Sequence, residues 1–254
     1  MQTKNKIALI TGGSRGLGKN MALAMAGKGI DVIITYNSNK EAADDVVTQI
    51  HSIGQKAIAF QLDTSDVKNF DPFITKLHAH LIKETGSANI DFLINNAGTA
   101  LYALATETTE AQMDAIFNIH YKGVFFLTQK LLPHINERGG IVNVSSGLTR
   151  ITMPGSSVYG SLKTAVEALT RFLAKELGSR KIRVNTVAPG AMETDFGGGW
   201  VRDNKEMNDR IAGMTALGRV GLPDDIGPVV AFLCTEEAYW INGQRIEASG
   251  GQAI

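Results

Sequence analysis

Short apolar runs alternate with longer amphipathic stretches along the chain. Ile7-Ala8-Leu9-Ile10, Val32-Ile33-Ile34, Ala57-Ile58-Ala59-Phe60, Phe92-Leu93-Ile94, Ile141-Val142-Asn143-Val144 and Val184-Asn185-Thr186-Val187 are continuous and largely apolar. That is the pattern of strands buried on both faces, and a further run surrounds Ile246. Between these runs, 17–26 is apolar almost all round, 41–53 is amphipathic, 67–83 has apolar positions at helical spacing, and 109–131 is apolar beyond one stripe. The helical period is clearest over 158–177, where Val158, Leu162, Ala165, Val166, Leu169, Phe172, Leu173 and Leu177 fall on one stripe. Strands alternating with helices predict parallel pairing through right-handed crossovers. No linker, repeat or low-complexity block divides residues 1–254, so one domain is expected. The irregular stretch 191–218, with Gly197-Gly198-Gly199 near its start, reads as a small substrate lid or, equally, as a permanently docked helix pair whose glycines turn a corner. Trp200, Val201, Ile211, Met214 and Leu217 give it an apolar side that could fold over an apolar substrate.

Lys+Arg and Asp+Glu are both 25, a net charge of zero. This argues against a general attraction to nucleic acid or an anionic membrane. No run is long enough to span a bilayer, and Lys4-Asn5-Lys6 leads into a short strand rather than a secretory signal, so a cytoplasmic protein is expected. The single cysteine, Cys234, excludes an internal disulfide framework and sits in the apolar run 229–234, as a buried small hydrophobe would. His78 and His80 are two apart on a predicted helix and face different ways, and no His/Cys/acid cluster suggests a metal.

Two places carry chemistry. Thr11-Gly12-Gly13-Ser14-Arg15-Gly16-Leu17-Gly18 joins the first strand to the first helix. Glycines let a phosphate approach the backbone, and the helix N-terminus offers free N–H groups and positive dipole. Far downstream, Tyr159 and Lys163 are four apart on a predicted helix, hence on one face, and Ser146 lies thirteen residues before Tyr159 at the end of a strand. A free phenol, with a pKa of about 10, is a poor acid–base catalyst near neutrality; an adjacent ammonium favours its phenolate.

In this order and spacing these motifs resemble the short-chain dehydrogenase/reductase family, over essentially the whole chain. The resemblance implies one doubly wound α/β (Rossmann) domain, with a seven-stranded parallel sheet and helices on both faces. It implies a Ser146-Tyr159-Lys163 triad in a nicotinamide-dependent oxidoreductase that interconverts a ketone and a secondary alcohol. The nearest subgroup likeness is to 3-oxoacyl-carrier-protein reductases, and hence to a 3-oxoacyl thioester as substrate. Gly12, Ser14, Arg15, Gly16, Leu17 and Gly18 match the family's T-G-x-x-x-G-x-G loop. Asp63, beside Thr64, matches the acid that reads the adenine, and Asn96, Ala97 and Gly98 belong to the N-N-A-G motif. Pro189 and Gly190 match the P-G turn beside the nicotinamide, Thr194 is placed for its carboxamide, and Tyr159 and Lys163 also contact cofactor. The second strand ends Tyr36-Asn37-Ser38 without an acid, which with Arg15 favours NADP(H) over NAD(H). One departure concerns the fourth catalytic position: where the family has Asn, this chain has His120, and Asn118 two residues earlier points about 200° away on an ideal helix. The family also implies a homotetramer and a small-molecule substrate. Two other readings remain open, a non-catalytic NADP(H)-binding regulator and an NAD-dependent alcohol dehydrogenase.

Overall fold

The structure, a computed structural model, describes residues 5–254. Chain order runs β1 (Ile7–Ile10), α1 (Gly16–Ala26), β2 (Asp31–Tyr36), α2 (Lys40–Ile53), β3 (Ala57–Gln61), α3 (Phe70–Thr85), β4 (Ile90–Asn95), α4 (Glu110–Phe117) and α5 (Gly123–Leu131). It continues with β5 (Ile135–Val144), α6 (Ser157–Glu176), β6 (Arg183–Pro189), α7 (Trp200–Asp203), α8 (Lys205–Gly213), α9 (Gly227–Leu233) and β7 (Arg245–Ala248). The seven strands form one parallel sheet in the order β3-β2-β1-β4-β5-β6-β7.

Alternation along each strand builds two cores. Ala8, Ile10, Val32, Ile34, Phe92 and Ile94 pack with α1, α2 and α9 on one face. Leu9, Ile33, Leu93, Ile141 and Val184 pack with α3, α5 and α6 on the other. Burial on both faces explains why the strands read as unbroken apolar runs. The strand order reverses at β1, which is flanked by β2 and β4. Such a switch point opens a crevice at the C-terminal ends of the strands, where ligands of doubly wound sheets bind.

Polar residues inside the strands are paired. Asn95 Nδ2 donates to Asn143 Oδ1 at 2.8 Å and to Thr128 Oγ1 at 3.0 Å. Asn143 Nδ2 donates to Thr170 Oγ1 at 2.9 Å, and Thr186 Oγ1 donates to Thr170 Oγ1 at 2.8 Å. This buried chain ties β4, β5 and β6 to α5 and α6, and a one-residue slip would leave several of its groups unpaired at a cost of about 1–3 kcal/mol each.

Three expectations are corrected. The 67–83 segment is a 3-10 turn, Val67–Asn69, capped by Asp66, followed by α3. The helix over 109–131 is interrupted by a π-helical turn, Asn118–Lys122, in which the Gly123 N–H reaches back to the Asn118 carbonyl. In the 158–177 stripe, Val166, Leu169, Leu173 and Leu177 are buried as expected, but Phe172 is 68% exposed, and Tyr159, Lys163, Glu167 and Thr170 are buried as well. The buried face of α6 is wider than its apolar stripe because it also holds polar groups that have partners at β5 and β6.

Candidate active site

The glycine loop lies against the ends of β2 and β4. Gly13 N–H donates to the Thr35 carbonyl at 2.8 Å. Asn96 Nδ2 donates to the carbonyls of Thr11 and Gly12, at 2.9 and 3.1 Å, so this side chain braces the loop. A Cβ on Gly18 would lie 2.1 Å from the Gly12 carbonyl oxygen, so α1 can begin this close to the loop only with glycine there. The backbone is therefore bare where the motif requires a pyrophosphate to approach. Ser14, Gly16 and Leu17 are partly buried along this loop, with Thr194 packed near Gly16. The Arg15 side chain is 74% exposed, 4.0 Å from Asp195, and Asn37 and Ser38 are exposed beyond the buried Tyr36. These groups fit a 2′-phosphate, and no carboxylate of the 36–39 stretch opposes it. Asp63 Oδ1 accepts from the N–H and Oγ of Ser65, fixing the turn beside Thr64.

The predicted catalytic residues converge where β5 meets α6. Ser146 leaves β5 with extended backbone, accepts a hydrogen bond from Leu148 N–H at 3.2 Å and is hydrogen-bonded to Tyr159. Tyr159 is in the first turn of α6, and Lys163 follows one turn later with Nζ 5.7 Å from the phenol ring centroid. Lys163 Nζ donates to the Val144 carbonyl at 2.7 Å. Burial brings the Lys163 pKa down to about 7. Burial also pushes the Tyr159 phenol above its ordinary value, and the Ser146 hydrogen bond pulls the other way. The expected lowering of the phenol by the ammonium is thus not what dominates here: removal from water outweighs it, and the resting phenol is protonated.

His120 is buried with its ring edge-to-face with Tyr159, centroids 5.1 Å apart. The wide π turn puts it there, whereas Asn118 is only partly buried. His120 Nε2 lies 2.8 Å from the Thr99 carbonyl and 3.3 Å from the Thr99 N–H, and its buried Nδ1 has no protein partner. A Cβ on Gly98 would come within 2.6 Å of the imidazole, so the glycine of N-N-A-G makes room for this larger side chain. Pro189 ends β6, and Gly190 N–H donates to the Ala248 carbonyl at 3.2 Å. Thr194 is buried and its Oγ1 accepts from Phe196 N–H at 3.2 Å.

A network that the sequence reading missed supports this junction. Ser145 Oγ donates to Glu167 Oε1 at 2.7 Å, and Thr149 Oγ1 and Arg245 Nε reach the same oxygen at 2.9 and 2.8 Å. Arg245 and Arg150 both hold Glu247, and Arg150 also caps the carbonyls of Gln252 and Ala253. Gln252 Oε1 accepts from Ala191 N–H at 2.9 Å, so the chain of contacts runs from the catalytic strand to the base of the 191–218 stretch. Glu167 had a legible signal, since it falls on the Tyr159–Lys163 face of one helix. Arg150, Arg245 and Glu247 had none, because only folding brings them together.

The 191–218 stretch is more regular than expected. It holds α7 and α8, and Gly197, Gly198 and Gly199 all have positive φ (64°, 77° and 78°), so they shape the corner leading into α7. Its end is pinned by Ala216 N–H to Gly251 O, Leu217 N–H to Gly250 O and Ala253 N–H to Met214 O. Of its apolar residues, Ile211 is buried, whereas Trp200, Met214 and Leu217 are exposed. Cys234 is buried, and burial pushes its thiol up to about 12, in keeping with a structural role. His78 lies beside His134 and His80 against Phe60, so the two histidines do face different ways.

The His120 imidazole has its pKa lowered from 6.5 to about 3, first by burial and then by the Lys163 charge, with the Thr99 carbonyl opposing. Between those values the unfolded chain takes up a proton here that the native chain does not. The stability contributed by neutral His120 is therefore fully present above pH 6.5 and is lost as pH falls towards 3, by up to about 1.4 kcal/mol per unit. Replacing the ring by a non-titrating amide in His120→Asn is expected to flatten the fall in unfolding free energy between pH 6.5 and 4. Urea titrations across that range check this, and identical slopes for the two proteins would refute it.

Comparison with known proteins agrees with this geometry. A family profile described as enoyl-(acyl carrier protein) reductase matches residues 12–253. An uncharacterised oxidoreductase of Methylorubrum extorquens is 40% identical over 248 residues, covering 98% of this chain and 98% of its own. A hydroxynaphthalene reductase-like protein of Metarhizium brunneum is 36% identical over 257 residues, covering 97% of this chain and 94% of its own. The crystal structure of the angucycline C-6 ketoreductase LanV with bound NADP superposes with a TM-score of 0.92 at 35% identity, covering 98% of this chain and 95% of that one. Likeness at this level over nearly the full length, on a seven-stranded doubly wound sheet with these motifs at its switch point, means that the chain belongs to the short-chain dehydrogenase/reductase family.

Proposed function

We propose that the protein is an NADP(H)-dependent ketoreductase that converts a small-molecule ketone into a secondary alcohol. The observation that carries this reading is the meeting of Ser146, Tyr159 and Lys163 at the end of β5, beside the switch-point crevice. The loop 12–18 would hold the pyrophosphate, Arg15 with Asn37 and Ser38 the 2′-phosphate, and Asp63 the adenine. Ala97 and Gly98 would flank the ribose, with Pro189, Gly190 and Thr194 around the nicotinamide. Reduced nicotinamide, when bound, supplies the hydride. Ser146 orients the carbonyl oxygen, and Tyr159 gives that oxygen its proton. The burial that keeps the phenol protonated favours this reductive role. Lys163, held by the Val144 carbonyl, stabilises the phenolate left behind, and His120 packs against the Tyr159 ring and fixes the 98–99 turn. LanV, a ketoreductase with bound NADP, supports the reduction of a ketone and the cofactor, and the hydroxynaphthalene reductase-like relative supports a reductase. The segment 191–218 is read as the lid.

Tyr159→Phe removes the proton donor without disturbing the ring packing. It is expected to lower kcat by at least about two orders of magnitude, the scale of general acid catalysis, and to leave NADPH affinity nearly unchanged. Absorbance of the reduced cofactor over a panel of ketones, including a 3-oxoacyl thioester, checks this; turnover near the wild-type rate in the variant would reject the assignment.

For the cofactor, charge-assisted contacts to the 2′-phosphate are worth roughly 1.5–3 kcal/mol each. NADPH is expected to bind at least about tenfold more tightly than NADH, and Arg15→Ala to narrow the gap. Fluorescence titration gives both constants, and equal affinities in the wild type would count against NADP(H).

The outer surface of α4, α5 and α6 exposes Met113, Phe117, Phe126 and Phe172. Exposed apolar side chains of this kind favour self-association, and we read these helices as part of the interface of a homotetramer. Light scattering is expected to give a multiple of the 27.2 kDa chain mass, reduced in Phe172→Asp. A monomer at micromolar concentration would exclude it.

A further inference from the structure

The Tyr159 ring meets an aromatic ring from the segment after β6, and a second ring pair joins that segment to the loop after β4. The Phe196 ring centroid is 5.9 Å from that of Tyr159, at 56°, and Tyr102 meets Trp200 edge-to-face at 5.8 Å. Tyr102 follows β4, whereas Phe196 and Trp200 follow β6. The loops are tied to one another rather than loosely apposed. Ala103 N–H donates to the Gly155 carbonyl at 3.0 Å, and a Cβ on Gly155 would sit 3.3 Å from the Tyr102 ring. A Cβ on Gly197 would lie 3.6 Å from Ala100 Cβ, so the corner before α7 rests on the Tyr102 loop. Despite this bracing the rings remain open to solvent, with Tyr102 55%, Phe196 46% and Trp200 40% exposed.

An isolated exposed aromatic needs no explanation, but one ring against Tyr159 and an exposed ring pair joining the two adjoining loops mark a ligand surface. The nearby charges are largely spent on one another. Arg202 holds both Asp195 and Asp203, so the guanidinium near Phe196 and Trp200 in sequence is paired. What the surface offers is ring faces and edges, which favour a flat π-system over a flexible chain. A flat ligand also loses no internal rotations on binding, whereas a linear acyl chain must be ordered bond by bond.

We propose that the site selects planar fused-ring aromatic carbonyl compounds, with the carbonyl at Tyr159 and Ser146 and the ring system laid along Phe196 towards the Tyr102–Trp200 pair. Linear 3-oxoacyl compounds are then poor substrates. This rests on the ketoreductase reading for the identity of the reacting carbonyl, while the ring preference is a property of binding and can be measured without turnover. A well-placed ring–ring contact adds about two- to twelvefold in affinity beyond the area it buries.

The test compares two ligands with one ten-carbon bicyclic skeleton and one hydroxyl, planar 2-naphthol and puckered trans-2-decalol, by calorimetric titration in the presence of NADP+. The wild type is expected to bind 2-naphthol at least about tenfold more tightly. Phe196→Leu and Trp200→Leu keep apolar bulk but remove the ring, and each should weaken 2-naphthol about two- to tenfold while leaving the decalol within about twofold. Because both side chains are half-exposed, the variants are expected to fold, and the wild-type comparison stands even if they do not. Equal affinity for the two ligands, or variants that weaken both equally, would overturn the proposal. Turnover of 2-tetralone and of a linear 3-oxobutanoate ester separates the two readings. A ring preference in binding with no NADPH oxidation on either substrate rejects the reductase alone, and oxidation of both with no ring preference rejects the aromatic wall alone.

Discussion

The bond from the Lys163 ammonium to the Val144 carbonyl is the constraint around which the site is organised. It fastens the C-terminal end of β5 to the second turn of α6. With that distance fixed, Ser146, two residues beyond Val144, must face Tyr159, one turn before Lys163. The ammonium is buried and costs free energy that the carbonyl only partly offsets, as its lowered pKa records. Such a charge is tolerated where the surrounding structure is rigid, and here it is. Glu167, one turn further along α6, takes hydrogen bonds from Ser145 and Thr149 and an ion pair from Arg245. Three successive turns of one helix thus each hold a different group near the end of β5 or on its neighbour.

This rigidity has a consequence for the rest of the molecule. Arg245 and Arg150 share Glu247, and Arg150 holds the backbone of Gln252 and Ala253, so the last strand and C-terminal residues are part of the catalytic support. The same residues pin the end of the 191–218 stretch through the Gly250 and Gly251 carbonyls. The wall carrying Phe196 and Trp200 is therefore referenced to the reacting groups through hydrogen bonds at its base. The His120 imidazole fills the space left by Gly98 and contacts the Tyr159 ring, which Phe196 also meets.

Much of this was determined by the sequence itself. Doubly buried strands demand continuous apolar runs, so β1, β2, β4 and β6 were legible where they stand; the strand–helix alternation implied parallel pairing, and the doubly wound order came from the family resemblance. The spacing of Tyr159 and Lys163 put them on one helical face, and the family resemblance singled them out with Ser146 as candidate reacting groups. Tertiary structure decided the rest. Whether Tyr159 is held as phenol or phenolate depends on burial, a sum over neighbours that no local pattern contains. The π turn that places His120 against Tyr159 has no distinctive local residue pattern, and Gly123 at its end packs too close to the Thr64 carbonyl to carry a Cβ. Likewise Glu247 and Arg150 are 97 residues apart, and Tyr102 and Trp200 lie 98 apart. Local periodicity records how each segment meets a face of the sheet; it carries no information about which distant side chains meet at its ends, and there the crossover connections alone decide.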